Sequence, residues 1–387
     1  MASSTGTSGT GPAVVLVLNA GSSSLKASLH RSDGELLWGD QRRWSPLATD
    51  GSALPDTQEE ALDRLLDDWL PTALAPWEGQ LRLVGHRVVH GGEIFSAPTR
   101  LTPAVLETLS SLVPLAPLHN PPALWAMHWL QRRYPKLEGW ACFDTAFHAT
   151  LPLEARTYAI PASWRAAGLR RFGFHGLNHQ HVSAVVSARF DGVGRGTDAG
   201  APLRLVSCHL GAGCSLCAVR GGRSIATTMG FTPMEGLVMA TRSGSVDPGL
   251  LLHQLRRGVA VAELDDDLNG ASGLLGLSGL SGDMREVRAA AARDHAGAQL
   301  ALAVFRHQLL QGIGAMAASL GGVDVIALSG GIGEHDDALL GELESALAWL
   351  GPFTLLTVPA DEEGQIVRQI QHAAALQLSG RSGTRAS

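Results

Sequence analysis

Residues 19–26 read Asn-Ala-Gly-Ser-Ser-Ser-Leu-Lys and follow the apolar run Val14-Val15-Leu16-Val17-Leu18. A turn of small residues lets backbone N–H groups approach an anion closely, and its hydroxyls add donors. Lys26 brings a compact charge suited to phosphate. It is one of only two lysines, the other being Lys136, in a chain that otherwise uses arginine. A serine-rich hairpin turn with no ligand would carry the same letters. Arg87, within Gly85-His86-Arg87-Val88-Val89-His90-Gly91-Gly92, and Arg242, within Ala240-Thr241-Arg242-Ser243-Gly244, are placed to fork onto a carboxylate or phosphoryl group. Taken singly, each is more often a surface arginine. Together with Lys26 they could neutralise the charge that spreads over a phosphoryl group in transfer. His119, before Asn120-Pro121, and His175, in Gly173-Phe174-His175-Gly176, sit in turn-rich segments. Each alone reads equally well as a hydrogen-bonded structural histidine. Asp144 ends the apolar stretch Trp140-Ala141-Cys142-Phe143, where α/β folds place magnesium-shell or base carboxylates.

The elements that must hold these residues come in related sets. Residues 203–209 form a second apolar strand, followed by Leu210-Gly211-Ala212-Gly213-Cys214-Ser215 and a return strand ending at Gly221-Gly222. The first unit likewise ends in a turn at Asp33-Gly34. Two strand–turn–strand hairpins half a chain apart read as a duplicated domain, each copy offering a turn to one ligand, with a nucleoside triphosphate the economical choice. A third glycine segment, Ser329-Gly330-Gly331-Ile332-Gly333-Glu334, follows another apolar strand. Its spacing is not that of the dinucleotide fingerprint. It suits either a close backbone surface for adenine or ribose or a plain strand-to-helix turn. Apolar periodicity predicts helices over 59–70, 290–320 and 337–350, and strands alternating with helices indicate an α/β class.

A length of 387 residues allows two domains with full cores, and 45% hydrophobic and 17% charged residues describe a globular chain. The net charge of −6 argues against nucleic acid or an anionic membrane as the main partner. Residues 1–12 show neither a basic nor an apolar targeting region and read as a disordered extension. The four cysteines form no disulfide framework. Cys214 and Cys217 spell C-x-x-C but fall on a strand, where residues three apart face opposite ways. A reduced cytoplasm is the expected location.

These segments, with residues 115–121, 228–248, 273–283 and 359–363, resemble the acetate kinase family in its order, from about Val14 to the C-terminal helix. The resemblance implies the acetate and sugar kinase, Hsp70 and actin (ribonuclease H-like) fold, two related α/β lobes with ATP in the cleft. It implies a lobe from 13–150 joined by a C-terminal helix over 364–378, a second lobe from 151–363 with nucleotide and dimer surfaces, and a frayed tail over 379–387. Asn19, Ser22, Ser24 and Lys26 would lie near the phosphates. Arg87 and Arg242 would hold the carboxylate and the phosphoryl group, His175 would stabilise the transition state, and His119 would support it. Asp144 and Glu362, with Asn19, would organise Mg²⁺, largely through water. His209, Gly211, Gly213, Asp283, Arg285, Gly331, Ile332 and Gly333 would face ATP. Val89, Leu118, Phe174 and Pro233 would form the pocket for the alkyl end of the substrate. The implied partners are ATP or ADP, a small carboxylate (acetate, then propionate) and a second copy in a homodimer.

The family pattern breaks in four places, one of them the usual serine pair after the glycine turn, which is Cys214-Ser215 here. Its Gly-Asn-Gly turn is Gly211-Ala212-Gly213, which removes a polar group worth about 1–3 kcal/mol. Asp361 stands in place of an asparagine, and the connection from Glu334 to Pro359 is short. A weakly active or non-catalytic nucleotide-binding relative is therefore an alternative to a working kinase. A sugar kinase or ATPase of the wider fold would need a polar pocket and a base, which Val89, Leu118, Phe174 and Pro233 do not supply.

Overall fold

The computed structural model describes residues 13–21, 24–44, 57–190 and 201–383. The N-terminal extension and Ser22 lie outside that set. The chain divides into two units, Met1–Ala146 with Glu362–Ser387, and Phe147–Asp361.

In the first unit, β1 (Val14–Ala20) and β2 (Ser24–Arg31) pair antiparallel, with Asn19 opposite Lys26. The amide N–H of Gly21 donates to the carbonyl of Ser24 at 2.8 Å, closing the connection. β3 (Leu36–Arg43), β4 (Leu81–Val88), β5 (Thr99–Arg100) and β6 (Glu138–Phe143) complete a six-stranded sheet of order β3-β2-β1-β4-β6-β5. β1, β4 and β6 are mutually parallel. The crossovers use α1 (Gln58–Leu74), α2 (Pro103–Ser111) and α3 (Asn120–Arg133). β1 is apolar almost without alternation because both of its faces are covered. Leu16, Leu18, Leu25 and Leu29 pack with Leu62, Leu66 and Leu70 of α1 in one core.

A long helix, Glu362–Gly383, lies against β1 and β4 and belongs to this unit. Its approach depends on Gly85 of β4. A Cβ there would come within 2.5 Å of both Ile366 Cγ2 and Ile370 Cδ1. The glycine therefore seats the helix so that Glu362 and Glu363, in its first turn, reach Arg87, Asn19 and Lys26. Acidic residues in a first turn also suit the helix dipole.

The second unit opens with three helices, α4 (Leu153–Arg156), α5 (Ala162–Ala166) and α6 (Gly176–Arg189). A meander follows: β7 (Arg204–Leu210), β8 (Cys214–Arg220) and β9 (Arg223–Thr227). Next come α7 (Pro248–Arg256), α8 (Val261–Gly270), α9 (Gly273–Ser278), α10 (Met284–Ala291) and α11 (Ala296–Leu320). β10 (Val325–Ser329), α12 (Gly330–His335), α13 (Asp337–Ala346) and β11 (Thr354–Thr357) close the unit. The sheet order is β11-β10-β7-β8-β9. The series β9-β8-β7-β10-β11 repeats β3-β2-β1-β4-β6, an antiparallel meander followed by two strands parallel to its inner member. The duplication seen in two hairpins thus extends to whole sheets.

Two helices differ from their periodicity. The predicted 290–320 helix is broken between α10 and α11, where Asp294 is left-handed (φ 59°) and His295 Nδ1 accepts the N–H of Ala298 at 3.1 Å as a cap. The apolar pattern spans both pieces because both pack on the same core, so periodicity alone hides the break. The 337–350 segment leaves α13 at Ala346 and finishes in a 3-10 turn, Ala348–Leu350. All four cysteines are buried and free, and burial pushes the Cys214 and Cys217 thiols up to about 12. Among the described residues, no helix is long and apolar enough to cross a membrane.

Candidate active site

In the first unit the strand ends deliver one polar cluster. Arg87, near the end of β4, is its centre. Its Nη2 donates to Asp144 Oδ2 at 2.6 Å and its Nε to the two Asp144 oxygens at 3.1 and 3.2 Å. Its Nη1 donates to Asn19 Oδ1 at 3.1 Å, and Glu362 Oε2 stands 3.8 Å from the same nitrogen. Burial opposes the Arg87 charge, but Asp144 and Glu362 outweigh it and keep the guanidinium protonated. Burial pushes the Asp144 carboxyl up, and Arg87 pulls it back. Lys26 Nζ donates to Glu363 Oε2 at 2.8 Å, and Asn19 Nδ2 donates to Glu363 Oε1 at 3.4 Å. Asn19, Lys26, Arg87, Asp144 and Glu362 are thus brought together. Glu363 is an additional member.

The segments flanking this cluster are tied to each other. His90 N–H donates to Asn120 Oδ1, and Asn120 Nδ2 donates back to the His90 carbonyl, both at 3.1 Å. This pins the chain after Arg87 to the start of α3, next to His119 and Leu118. Leu118 is 50% exposed and Val89 half-buried.

A magnesium ion would find oxygen donors here, but not a cage. Among the described residues, no group of three or more His, Cys, Asp or Glu side chains could hold a metal. Asp144 and the Asn19 oxygen are already engaged by Arg87. That donor set fits a cation that keeps several waters and completes its shell with phosphate oxygens, as magnesium does.

In the second unit the centre is His175, which precedes α6 with a left-handed backbone (φ 56°). That conformation is uncommon for a residue with a Cβ, and such strain persists where the surroundings over-determine it. The surroundings here are a chain of hydrogen bonds. His175 Nδ1 is 2.9 Å from Ser215 Oγ, His179 Nε2 is 2.8 Å from the same oxygen, and His179 Nδ1 is 2.9 Å from Ser207 Oγ. Burial holds the His179 pKa well below its ordinary value, so its imidazole is neutral. Gly213 admits the His175 ring, since a Cβ there would lie 3.1 Å from Cε1 and Nε2. The His209 ring lies 4.2 Å from that of His175, with its Nδ1 fixed at 2.8 Å by Asn178.

Arg242 lies on a braced loop. Arg171 donates to the carbonyls of Thr228 and Met229 at 2.9 and 2.8 Å and to Glu235 at 2.5 Å, and Tyr158 donates to Glu235 at 2.5 Å. The Pro233 carbonyl accepts from Arg242 Nη1 at 3.1 Å. Phe174 is buried, with its carbonyl 2.9 Å from His148 Nε2.

A cavity of about 800 Å³ opens beside this loop, lined by Gly211, Ala212, Asp283, Arg285, Gly331 and Ile332 among others. Gly333 instead packs against Leu328 and Leu210. Asp283 caps α10 through the Arg285 N–H at 2.8 Å, and its bonds to Arg285 hold its carboxyl down at about 2. Ala212 keeps the turn through its backbone, its carbonyl accepting from Ala240 N–H at 3.0 Å, while its methyl group offers the cavity no polar atom. The cavity has nucleotide size, with backbone, apolar and charged walls.

Sequence reading missed Glu363, Ser215 and His179. The signal for His179 was present, since it stands four residues, roughly one helical turn, after His175. Ser215 and Glu363 carried no comparable mark.

A family model described as "Acetokinase family" matches residues 14–357. The chain is 44% identical to a protein named acetate kinase from Synechococcus sp. (strain JA-2-3B'a(2-13)) over 362 residues, 87% of this chain and 88% of that one. It is 44% identical over 351 residues to one of the same name from Deinococcus radiodurans, 87% of this chain and 86% of that one. Among solved structures, it resembles a propionate kinase from Francisella tularensis (TM-score 0.82, 31% identity, 92% of this chain and 98% of that one). It also resembles the acetate kinase of Porphyromonas gingivalis (TM-score 0.80, 31% identity, again 92% and 98%).

Proposed function

The chain belongs to the acetokinase family, and from that premise we propose how it carries out the acetate kinase reaction: the γ-phosphoryl group of ATP passes directly and reversibly, in line, to a carboxylate oxygen of acetate. The observation that carries this reading is the way Arg87 is held. Contacts with Asp144 and Asn19 fix a permanently charged fork at the end of β4. Such a fork suits a carboxylate.

Acetate is ionised near neutrality, with a carboxyl pKa of roughly 4, so the reaction needs no general base. The protein must position the reactants and neutralise charge. Arg87 orients the carboxylate. Arg242, steadied by the Pro233 carbonyl, meets the phosphoryl oxygens. Lys26 and Asn19 serve the phosphate chain, and the cavity beside Ala212 takes the nucleoside. Val89, Leu118, Phe174 and Pro233 select a short alkyl group. Asp144, Glu362 and Asn19 would hold magnesium through water, and the ion would neutralise phosphate charge.

His175 acts as a hydrogen-bond donor. Ser215 has one proton, so it can donate to only one of its two imidazoles and must accept from the other. Of the two donor orders that the shared hydroxyl allows, we propose the one in which His179 Nε2–H donates to Ser215 and Ser215 to His175 Nδ1, which puts the His175 proton on Nε2. That nitrogen is then a preorganised donor to charge developing on the phosphoryl group. The family homodimer would cover the exposed apolar side chains Leu250, Leu252, Leu255 and Val261 of α7 and α8. The enzyme would work in the cytoplasm.

The test is acyl phosphate trapped by hydroxylamine from Mg-ATP with acetate, propionate or butyrate. Product should depend on the carboxylate, be largest with acetate or propionate, and fall at least a hundredfold in Arg242→Ala. ATP binding with no trapped product would instead identify a non-catalytic relative, with Ala212 the first suspect.

A further inference from the structure

His148, in the 3-10 turn Ala146–Thr150, is buried, and both of its ring nitrogens are engaged. Its Nε2 lies 2.9 Å from the carbonyl oxygen of Phe174, and its Nδ1 lies 2.8 Å from Ser224 Oγ. A carbonyl can only accept, so Nε2 carries the proton. Burial lowers the His148 pKa to about 4, so the ring is neutral at pH 7 and Nδ1 accepts from the Ser224 hydroxyl. The Cys217 thiol, kept protonated by burial, donates in turn to Ser224 Oγ at 3.2 Å. Every donor in the series Cys217, Ser224, His148 therefore points toward the Phe174 carbonyl, and bonds aligned in this way reinforce one another.

That carbonyl belongs to the peptide between Phe174 and His175. The peptide is planar, so turning it changes ψ of Phe174 and φ of His175 together. The chain on either side is fastened separately. The N–H groups of Phe172 and Gly173 donate to the Gly230 carbonyl at 3.0 and 3.2 Å, and the His179 N–H donates to the His175 carbonyl at 2.9 Å. Gly173 is itself left-handed (φ 76°), and a Cβ on it would lie 2.8 Å from Cγ and Cδ2 of His148, so its backbone rests on the imidazole. Between these anchors, a turn of the 174–175 peptide would return His175 from φ 56° to the negative values that a residue with a Cβ favours. The bond from His148 opposes that turn, because the buried carbonyl would lose its donor.

We propose that His148 is a positioning residue for His175: by donating to the Phe174 carbonyl it holds the 174–175 peptide in the orientation that keeps His175 left-handed and its ring against Gly213. The catalytic consequence rests on the reading of His175 as a donor in phosphoryl transfer. His148 touches no reactant and acts only through that peptide.

Two amide variants of the full chain separate this bond from mere filling of the site. In His148→Gln the side-chain nitrogen can reach the place of Nε2 and still donate to Phe174. In His148→Asn it reaches only the place of Nδ1, toward Ser224. Acetyl phosphate formation should show kcat within about threefold of the parent for His148→Gln and at least about tenfold lower for His148→Asn, with the KM for ATP within about twofold in both. Crystal structures should show His175 left-handed in the first variant and at negative φ in the second. ¹⁵N-histidine spectra of the parent at pH 7, assigned with His148→Gln, should place the His148 proton on Nε2, a result that stands whether or not His148→Asn folds. A proton on Nδ1, a left-handed His175 in His148→Asn, or an equal fall in kcat in both variants would overturn the proposal. A negative φ in His148→Asn with kcat unchanged would support the hold and overturn instead the donor role of His175.

Discussion

Replacing Ser215 by alanine tests the proposed role of His175 as a donor through Nε2. The serine is fully buried, and its hydroxyl is shared by His175 Nδ1 at 2.9 Å and His179 Nε2 at 2.8 Å. Ser215→Ala leaves both ring nitrogens without that partner. Each such loss costs about 1–3 kcal/mol, so the variant should lose roughly 2–6 kcal/mol of stability in urea unfolding. The catalytic effect is separate. The bond that biases His175 toward its Nε2–H form is gone, and a bias of about 1.4 kcal/mol corresponds to a tenfold fall in kcat. The KM for ATP should stay within twofold, because Ser215 is not among the residues lining the nucleotide cavity. Ser207→Ala, at the far end of the same chain of bonds, should lower kcat only about twofold to threefold, since His179 keeps its bond to Ser215. Steady-state kinetics in the acetyl phosphate-forming direction, with ¹⁵N spectra of the His175 ring, separate the two effects. A folded Ser215→Ala protein with kcat within twofold of the parent would refute the reasoning. So would a loss confined to KM.

Four further outcomes follow from the geometry. Asp144→Ala leaves Arg87 charged without its 2.6 Å partner and should destabilise the protein by about 3–5 kcal/mol in chemical denaturation, in addition to lowering activity. Gly85→Val should cost about 1–3 kcal/mol and reduce activity, because its side chain meets Ile366 and Ile370 and displaces the helix that presents Glu362 and Glu363. Acid should destabilise the fold through two buried neutral histidines, His86 (about 3) and His148 (about 4). Unfolded histidine takes up a proton below about pH 6.5, whereas these folded ones do not, so stability is full above that pH and falls toward pH 4 by about 1.4 kcal/mol per unit per group. His86→Leu should flatten that slope in unfolding curves taken between pH 7 and 5. Ala212→Asn, which restores a polar side chain at the nucleotide cavity, should lower the KM for ATP about tenfold, or about 1.4 kcal/mol. An unchanged KM would show that the alanine is neutral.

Much of this was legible because it is local. The hairpin at Asn19–Lys26, the glycines around Arg87 and the second hairpin at 203–222 are short-range patterns, and their strand order repeats in both sheets. The parts that were not legible depend on long-range closure. Glu363 joins Lys26 and Asn19 across more than three hundred residues, because the C-terminal helix returns to the first unit at Gly85. Nothing in the letters distinguishes Glu363 from its neighbour Glu362. Ser215 became visible only when β8 placed it opposite His209 of β7 and within reach of two imidazoles from α6 and its approach. The break at Asp294 was masked because one core faces both α10 and α11 and their apolar repeats join smoothly.

The stereochemical course at phosphorus tests direct transfer most closely. ATP made chiral at its γ-phosphorus with oxygen isotopes should give acetyl phosphate of inverted configuration, since one in-line displacement inverts the centre. Retention would require two displacements through a phosphorylated side chain. It would contradict a site in which Arg87, Arg242 and His175 only position and neutralise charge.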